Sequence, residues 1–542
     1  MTHPAARHHA ADHLAGRINR REFLSHATAL GVSVPVAYGL IGLRSPARAA
    51  GPAPGGTLRM AMSALPLCDP RIADWPEIGN VLRGWLEPLV QYNPDGTFTG
   101  ALLESWAYAD DARTLTLHLR PGIRWSNGDP FTAADVAANL RRWADAGVPG
   151  NAMAAVTAAL QTDGRLNEDA VAIADDLTLT LTLGFPDATL IASFAEYTAL
   201  LVHPAYDGAD PSVDPVGTGP FLPVQIEPGT RHVLELDVAR PWWGTEVLGG
   251  PWLDRIEYVD LGTDPARAAV AARAGEIEAV DQTIGRATSE LDDLGWERSE
   301  CPSAATLAIR FNQRMPPYDD RRVRLAIQKI VSNAVVLEIG YAGQGEIGEN
   351  HHVAPLQPDY SPIGPAEFDT EAGLALLREA GMEGEEFTLT SLDDEWQALS
   401  CDVVAAQMVD AGLTVTRQIL PGRDYWPNWR GFAFSATNWN MRPLGVQVLR
   451  LAYQSGSVWN ETGFADPAFD EALRDALAIV DAEERQSVMQ RLETMLRDQG
   501  VLIQPFWRRL ARHVHPRAHG MDITPVLDHR HHEWWLEPAP AP

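Results

Sequence analysis

Two histidine clusters, three cysteines and a group of aromatic side chains are the residues of this chain whose types and spacing could do chemistry. His351-His352 and His529-Arg530-His531-His532 would suit metal capture, since neutral imidazole is a common metal ligand. Adjacent histidines on one strand or loop point to different sides, however, and these lack the i,i+4 spacing that sets two imidazoles on one helix face. No metal is expected. Cys68, Cys301 and Cys401 are widely spaced and form no CxxC pair. They read as buried thiols, with one bridged pair as the alternative, and not as a zinc site or a disulfide framework. Tyr425, Trp426, Trp429, Trp439, Tyr453 and Trp459-Asn460 offer flat walls beside a few polar groups, a composition shared by ligand pockets and ordinary cores.

Signatures of catalysis are missing: there is no G-x-S-x-G, H-E-x-x-H or P-loop pattern. With 72 acidic residues, a chance carboxylate pair carries no weight. The expectation is a binding protein without a cofactor, and not an enzyme. The formal net charge of -29, with Lys329 the one lysine, repels nucleic acid and anionic lipid, so neither is an expected partner.

Asn19-Arg20-Arg21-Glu22-Phe23-Leu24-Ser25 is followed by a moderately apolar stretch from Ala27 to Leu43 and by the small-x-small triplet Ala47-Arg48-Ala49. The order of basic, apolar and cleavable regions is that of a secretory leader. Arg20, Arg21, Phe23 and Leu24 resemble the twin-arginine signal, which implies export in the folded state. Gly31, Pro35, Gly39 and Gly42 argue against one membrane-anchoring helix. The leader, residues 1–49, holds six arginines against two acids, so its removal takes the net charge from -29 to -33. Without a cysteine at the cleavage site, the product is expected to be soluble in a periplasm. No later run reaches the roughly 18 apolar residues that a membrane span needs.

The elements that must position these residues alternate along the mature chain. Thr57–Met62, Thr114–Leu119 and Leu177–Leu183 read as strands, the last two by strict alternation of leucine with polar residues. Helices are expected after Thr132, with Asp135 completing a capping box, from Asp369 to Gly381, and from Asp466 with Pro467 in the first turn. The interleaving argues for an α/β fold, and the length for two or three folding units.

A series of blocks then resembles, in order, the family 5 extracellular solute-binding proteins of ABC importers, the binders of dipeptides, oligopeptides and nickel complexes. Gly55-Gly-Thr-Leu-Arg59 opens the mature chain, and Cys68-Asp-Pro70 stands where the family has Leu-Asp-Pro. Glu87-Pro-Leu-Val-Gln-Tyr-Asn-Pro-Asp-Gly96, Leu103-Glu-Ser-Trp106, Leu117–Trp125 and Asn127–Val136 follow. Pro215–Phe221, Trp242-Trp-Gly244, Leu253–Ile256, Ala274–Ile277, Phe311-Asn312, Pro317–Ile327 and Leu376–Gly381 complete the set. Most of these read as scaffold, with Gly217 and Gly219 beside Pro220 setting a tight strand entry.

The resemblance implies a two-lobed periplasmic-binding fold of type II, in a large variant with an extra subdomain. Residues 50–305 would form lobe I, with the subdomain near 97–210, residues 306–501 lobe II, and residues 502–542 the return to lobe I and the tail. It also implies closure about strands crossing near Thr306 and Ile503, a peptide or other small solute held between the lobes, and delivery to an ABC permease and ATPase complex by a monomer. A periplasmic sensor, or a secreted hydrolase on the same fold, is the alternative.

One departure bears on the ligand. Peptide-binding members have a tryptophan followed three residues later by an aspartate that pairs with the peptide ammonium; here the stretch is Asn438-Trp-Asn-Met-Arg-Pro443, with arginine in the acid's place. A guanidinium repels an ammonium and accepts a carboxylate or phosphate. Candidate ligand contacts are Trp439, Arg442, Asn440, Tyr453, Trp459, Asn460 and Tyr425, with Cys68 and Trp75 in the loop after the first strand.

Overall fold

Leucines on one face and threonines on the other build a four-stranded antiparallel sheet from Leu103–Tyr108, Thr114–Leu119, Thr178–Thr182 and Val171–Asp175, in that order with the last at the edge. Leu115 pairs with Leu181 and Leu117 with Leu179, all four fully buried, while Thr116 lies opposite Thr180 on the wetter face. Period-two burial of this kind stabilises by roughly 1.5–3 kcal/mol per large apolar side chain. The computed structural model describes residues 4–43, 54–109, 112–264, 266–479 and 482–538. Its chain divides into two compact units. Unit 1 holds residues 1–262, 266–300 and 511–542, and unit 2 holds 263–265 and 301–510.

In unit 1, Thr57–Ala61 lies parallel to both Arg255–Val259 and Ala279–Val280, and Phe221–Glu227 and Arg231–Leu236 add antiparallel strands beyond Arg255–Val259. The helix Ala133–Trp143 begins on the expected capping box: Thr132 N–H donates to Asp135 Oδ2 at 2.7 Å, and the buried Val136, Leu140 and Trp143 form its inner stripe. Two sequence blocks meet where the indoles of Trp242 and Trp243 donate to the buried Glu87 carboxylate at 3.2 and 2.7 Å.

Gly217 shows why its block tolerates no side chain, since a Cβ there would lie 1.9 Å from the main-chain oxygen of Trp85. Backbone cannot move aside as a flexible side chain can. Gly217→Ala is expected to lower unfolding free energy by about 3 kcal/mol, read as a shifted urea midpoint at unchanged slope. A loss below about 0.5 kcal/mol, the ordinary surface value, would contradict the close approach.

In unit 2, Phe434–Trp439 runs antiparallel to the strand Glu297–Phe311, and Glu386–Leu392 lies parallel to both Phe434–Trp439 and Thr414–Leu420. Leu307, Ile309, Phe311, Phe387, Leu389, Phe434 and Ala436 are fully buried, with Val323, Ile327, Val404 and Met408 of the helices Arg321–Ile330 and Glu395–Asp410. The helix Thr370–Ala380 starts at Asp369, whose carboxylate accepts from Ala372 N–H at 2.9 Å, and stops at Gly381. The helix Pro467–Ala478 starts at Asp466. Apart from the short segment at 263–265, the chain passes between the units inside the strands Glu297–Phe311 and Phe506–Val514, so no turn residue marks those two passages in the sequence.

Residues 4–43 fold as well, into the helices Pro4–Leu14, Arg20–Ala29 and Val34–Leu40 of unit 1. Of the four residues read as interrupting a helix, Gly31 lies between the second and third helices and Gly42 beyond the third, whereas Pro35 stands in the first turn of the third helix and Gly39 inside it. Ala47-Arg48-Ala49 lies outside the described residues. Among the described residues no helix is long and apolar enough to cross a membrane.

Candidate functional site

Trp439 closes its strand opposite Thr306, and the chain leaves through Asn440-Met441-Arg442-Pro443 into the helix Gly445–Tyr453. Two anchors hold this turn. The Asp359 carboxylate accepts from the N–H groups of Gly445 and Val446 at 2.7 and 3.0 Å, where an acid complements the helix N-terminus. The Gln357 amide donates to the Arg442 carbonyl at 2.8 Å. At the far end of the helix, Tyr453 meets His352, its hydroxyl 2.9 Å from Nδ1.

Four of the predicted residues come together here with one that was not predicted. The ring of Trp439 stands edge-on to Trp459 at 6.0 Å and to His352 at 5.2 Å, and the Arg442 guanidinium lies 5.4 Å above the Trp459 ring, in cation–π range. Trp439, Arg442, Tyr453, Trp459 and His352 are all at most 6% exposed. Glu461 fixes the indole. Its carboxylate accepts from Trp439 Nε1 at 2.7 Å, Thr437 Oγ1 at 2.8 Å and Arg310 Nε at 3.0 Å.

His352 was read from sequence only as a metal candidate, and its neighbours here are aromatic rings and Arg442. Burial first, and then the Arg442 charge, push its pKa down to about 3, so it stays neutral at physiological pH. Its Nε2 is buried without a hydrogen-bond partner, as is Oδ1 of the half-buried Asn440. In the tautomer in which the Tyr453 phenol donates to Nδ1, the ring hydrogen stands on Nε2 and that atom is an unmet donor. Buried polar groups are rarely left unpaired, so each orphan is open to a water or to a ligand group. No local sequence signal joins His352 to Trp439 and Trp459.

Other predicted residues have different places. Tyr425 is fully buried and its hydroxyl donates to the main-chain oxygen of Ala436, a core role. Asn460 serves its own loop, donating to the Phe464 carbonyl and accepting from Thr462 Oγ1, each at 2.8 Å. Cys68 and Trp75 are half-buried in unit 1. Burial, then the neighbouring Asp69, Asp74 and Asp210, push the Cys68 thiol up to about 12, which keeps it an unreactive thiol. Among the described residues Cys68, Cys301 and Cys401 form no disulfide. His351 and His352 diverge as expected, His351 toward Glu349 at 2.8 Å. His529 and His531 instead share the Tyr258 hydroxyl at 2.9 and 2.6 Å in the core of unit 1. That convergence corrects the reading of the cluster as splayed. Among the described residues no three His, Cys, Asp or Glu side chains are grouped to hold a metal ion.

Because His352 is neutral when folded and titrates near its ordinary value when unfolded, its contribution to stability is full above about pH 6.5 and is lost as pH falls toward 3. His352→Gln is therefore expected to flatten the fall of unfolding free energy across that window by up to about 1.4 kcal/mol per pH unit. Urea titrations of both proteins at several pH values check this, and parallel curves would contradict it.

Comparison with known proteins gives the family and the fold. The family described as bacterial extracellular solute-binding proteins, family 5, matches residues 97–460. A dipeptide-binding protein of Pseudomonas aeruginosa is 23% identical over 477 residues, which span 81% of this chain and 86% of the relative. The glutathione-binding protein GsiB of Pectobacterium atrosepticum is 25% identical over 441 residues, spanning 75% and 80%. Among solved structures, the Escherichia coli murein tripeptide binding protein MppA superposes with a TM-score of 0.79 at 20% identity, covering 89% of this chain and 98% of its own. The Helicobacter pylori protein DppA in complex with the peptide STSA gives 0.77 at 20% identity, covering 90% and 99%. The α/β architecture is thus that of the periplasmic peptide-binding proteins, and the chain belongs to the bacterial extracellular solute-binding proteins of family 5.

Proposed function

We propose that this protein is exported by the twin-arginine pathway and serves as the soluble periplasmic receptor of an ABC importer. On this reading it captures a small solute bearing an anionic group and delivers it unchanged, as a monomer, to the permease and ATPase complex. The observation that carries the ligand class is the pairing, on unit 2, of the Arg442 guanidinium with the unmet Nε2 donor of His352 beside the Trp439–Trp459 corner. Both offer hydrogens, and a carboxylate or phosphate accepts them; an ammonium, itself a donor, does not. The aromatic corner adds apolar contact for the rest of the solute. Relatives are named for dipeptides and glutathione, and one solved neighbour, AgaA, is described in complex with agropinic acid at a TM-score of 0.77.

The test is a thermal-shift screen of the purified protein with peptides, amino-acid conjugates, sugar acids and chelated metals, each acid paired with its amide. A ligand at 100 times its Kd raises stability by about 2.7 kcal/mol. The expected hits are acids whose amides fail; a set of hits indifferent to the acid group would contradict the anionic class.

A further inference from the structure

We propose that unit 1 carries a docking surface for the chain's own export segment, and that docking withholds the twin-arginine motif from its receptor. The occupant is residues 4–43, and the functional consequence rests on the reading of residues 1–49 as a leader. An export signal needs a basic pair and an apolar run, and nothing in that role requires a matched surface on its own cargo. Here a matched surface exists.

The helix Arg20–Ala29 opens on a complete capping box: Asn19 Oδ1 accepts from Glu22 N–H at 2.9 Å and Glu22 Oε2 accepts from Asn19 N–H at 3.1 Å. Phe23, Leu24 and Ala27 are fully buried, and the imidazoles of His9 and His26 stack 4.8 Å apart where the first helix meets the second. Hydrogen bonds then join the segment to the rest of unit 1. Phe98 N–H donates to Thr28 Oγ1 at 2.6 Å and Trp106 Nε1 to the Ala29 carbonyl at 3.1 Å, both buried. Arg21 donates to the Tyr92 hydroxyl at 3.2 Å, and the Tyr38 hydroxyl to Asp95 at 2.6 Å.

Thr28 uses both halves of its hydroxyl, since it also donates to the Leu24 carbonyl at 2.8 Å. Gly31 marks the closest approach. Its φ is +86°, and a Cβ would stand 2.0 Å from the Trp106 carbonyl oxygen. The twin-arginine motif is thereby split, with Arg20 exposed, Arg21 half-buried, and Phe23 and Leu24 sealed. A receptor that reads the whole motif must first undock the segment, and if about 99% of molecules are docked its apparent affinity falls about 100-fold.

Hydrogen exchange on the purified full chain tests the docking. Amides of residues 23–30 are expected to exchange roughly 100-fold more slowly than in a synthetic peptide of residues 15–45, and Gly31→Val is expected to remove most of that protection while the melting transition of the body persists. Exchange at the peptide's rate in the natural protein would overturn the proposal, and so would unchanged protection in Gly31→Val. If that variant does not fold, Trp106→Phe, which deletes one donor from the body, is read the same way. In cells, the precursor of the undocked variant is expected to be processed faster; processing at the natural rate would overturn the withholding role. The leader reading fails separately: export that persists when Arg20 and Arg21 are both lysine would end it and leave the exchange result standing.

Discussion

Glu461→Gln is expected to lower the unfolding free energy by about 3–5 kcal/mol, the cost of leaving a buried charge without its partner. Arg310 and Glu461 have side chains 0% and 2% exposed and lie 3.0 Å apart, so water cannot take over the pairing. The other nitrogens of Arg310 donate to the carbonyls of Phe432 and Trp429, which fixes the guanidinium but leaves its charge unmet. A glutamine also turns an acceptor of three hydrogen bonds into a group that is half donor, facing the donors of Thr437 and Trp439. Calorimetry should show the transition falling by roughly 5–15 °C. Removing Arg310 as well, as Arg310→Met, should recover part of the loss, and the double-mutant cycle gives the coupling. A single-variant loss under about 1 kcal/mol, the surface-pair value, would contradict this account.

Arg442→Ala is expected to weaken binding of an acidic ligand by about 100-fold or more, because a buried charge pair that loses one partner costs roughly 2–5 kcal/mol. Its stability should change far less than that of Glu461→Gln. Arg442→Lys is expected to recover only part of the affinity, since an ammonium cannot match the planar guanidinium or its stacking on Trp459 at 5.4 Å. Calorimetric titration of the three proteins decides it, and equal affinity in wild type and Arg442→Ala would remove Arg442 from the site.

How much of this was readable in the sequence depended on the range of the forces involved. The helices after Thr132, Asp369 and Asp466 and the strand Thr114–Leu119 follow from caps and alternation that act within a few residues and stand where read, and the strand read as Leu177–Leu183 is Thr178–Thr182. The Trp439–Arg442 turn was found because the family pattern gave it a position. His352 was not, because its value comes from an 87-residue separation closed by the fold. Tyr425 shows the reverse error of an aromatic wall: its ring lies in the same stretch of sequence, but its hydroxyl is spent on the Ala436 carbonyl. In residues 1–49 the breaker at Gly31 was legible, whereas Thr28 and Trp106, partners of Phe98 and Ala29 across some 70 residues, left no local trace.

The most direct test of the receptor reading is a calorimetric titration of the purified protein with the acidic solute found by screening, followed by mass spectrometry of the recovered solute. The account predicts saturable one-to-one binding that its amide does not reproduce, with the solute returned unchanged. Conversion of the solute into product, or equal binding of acid and amide, would contradict it.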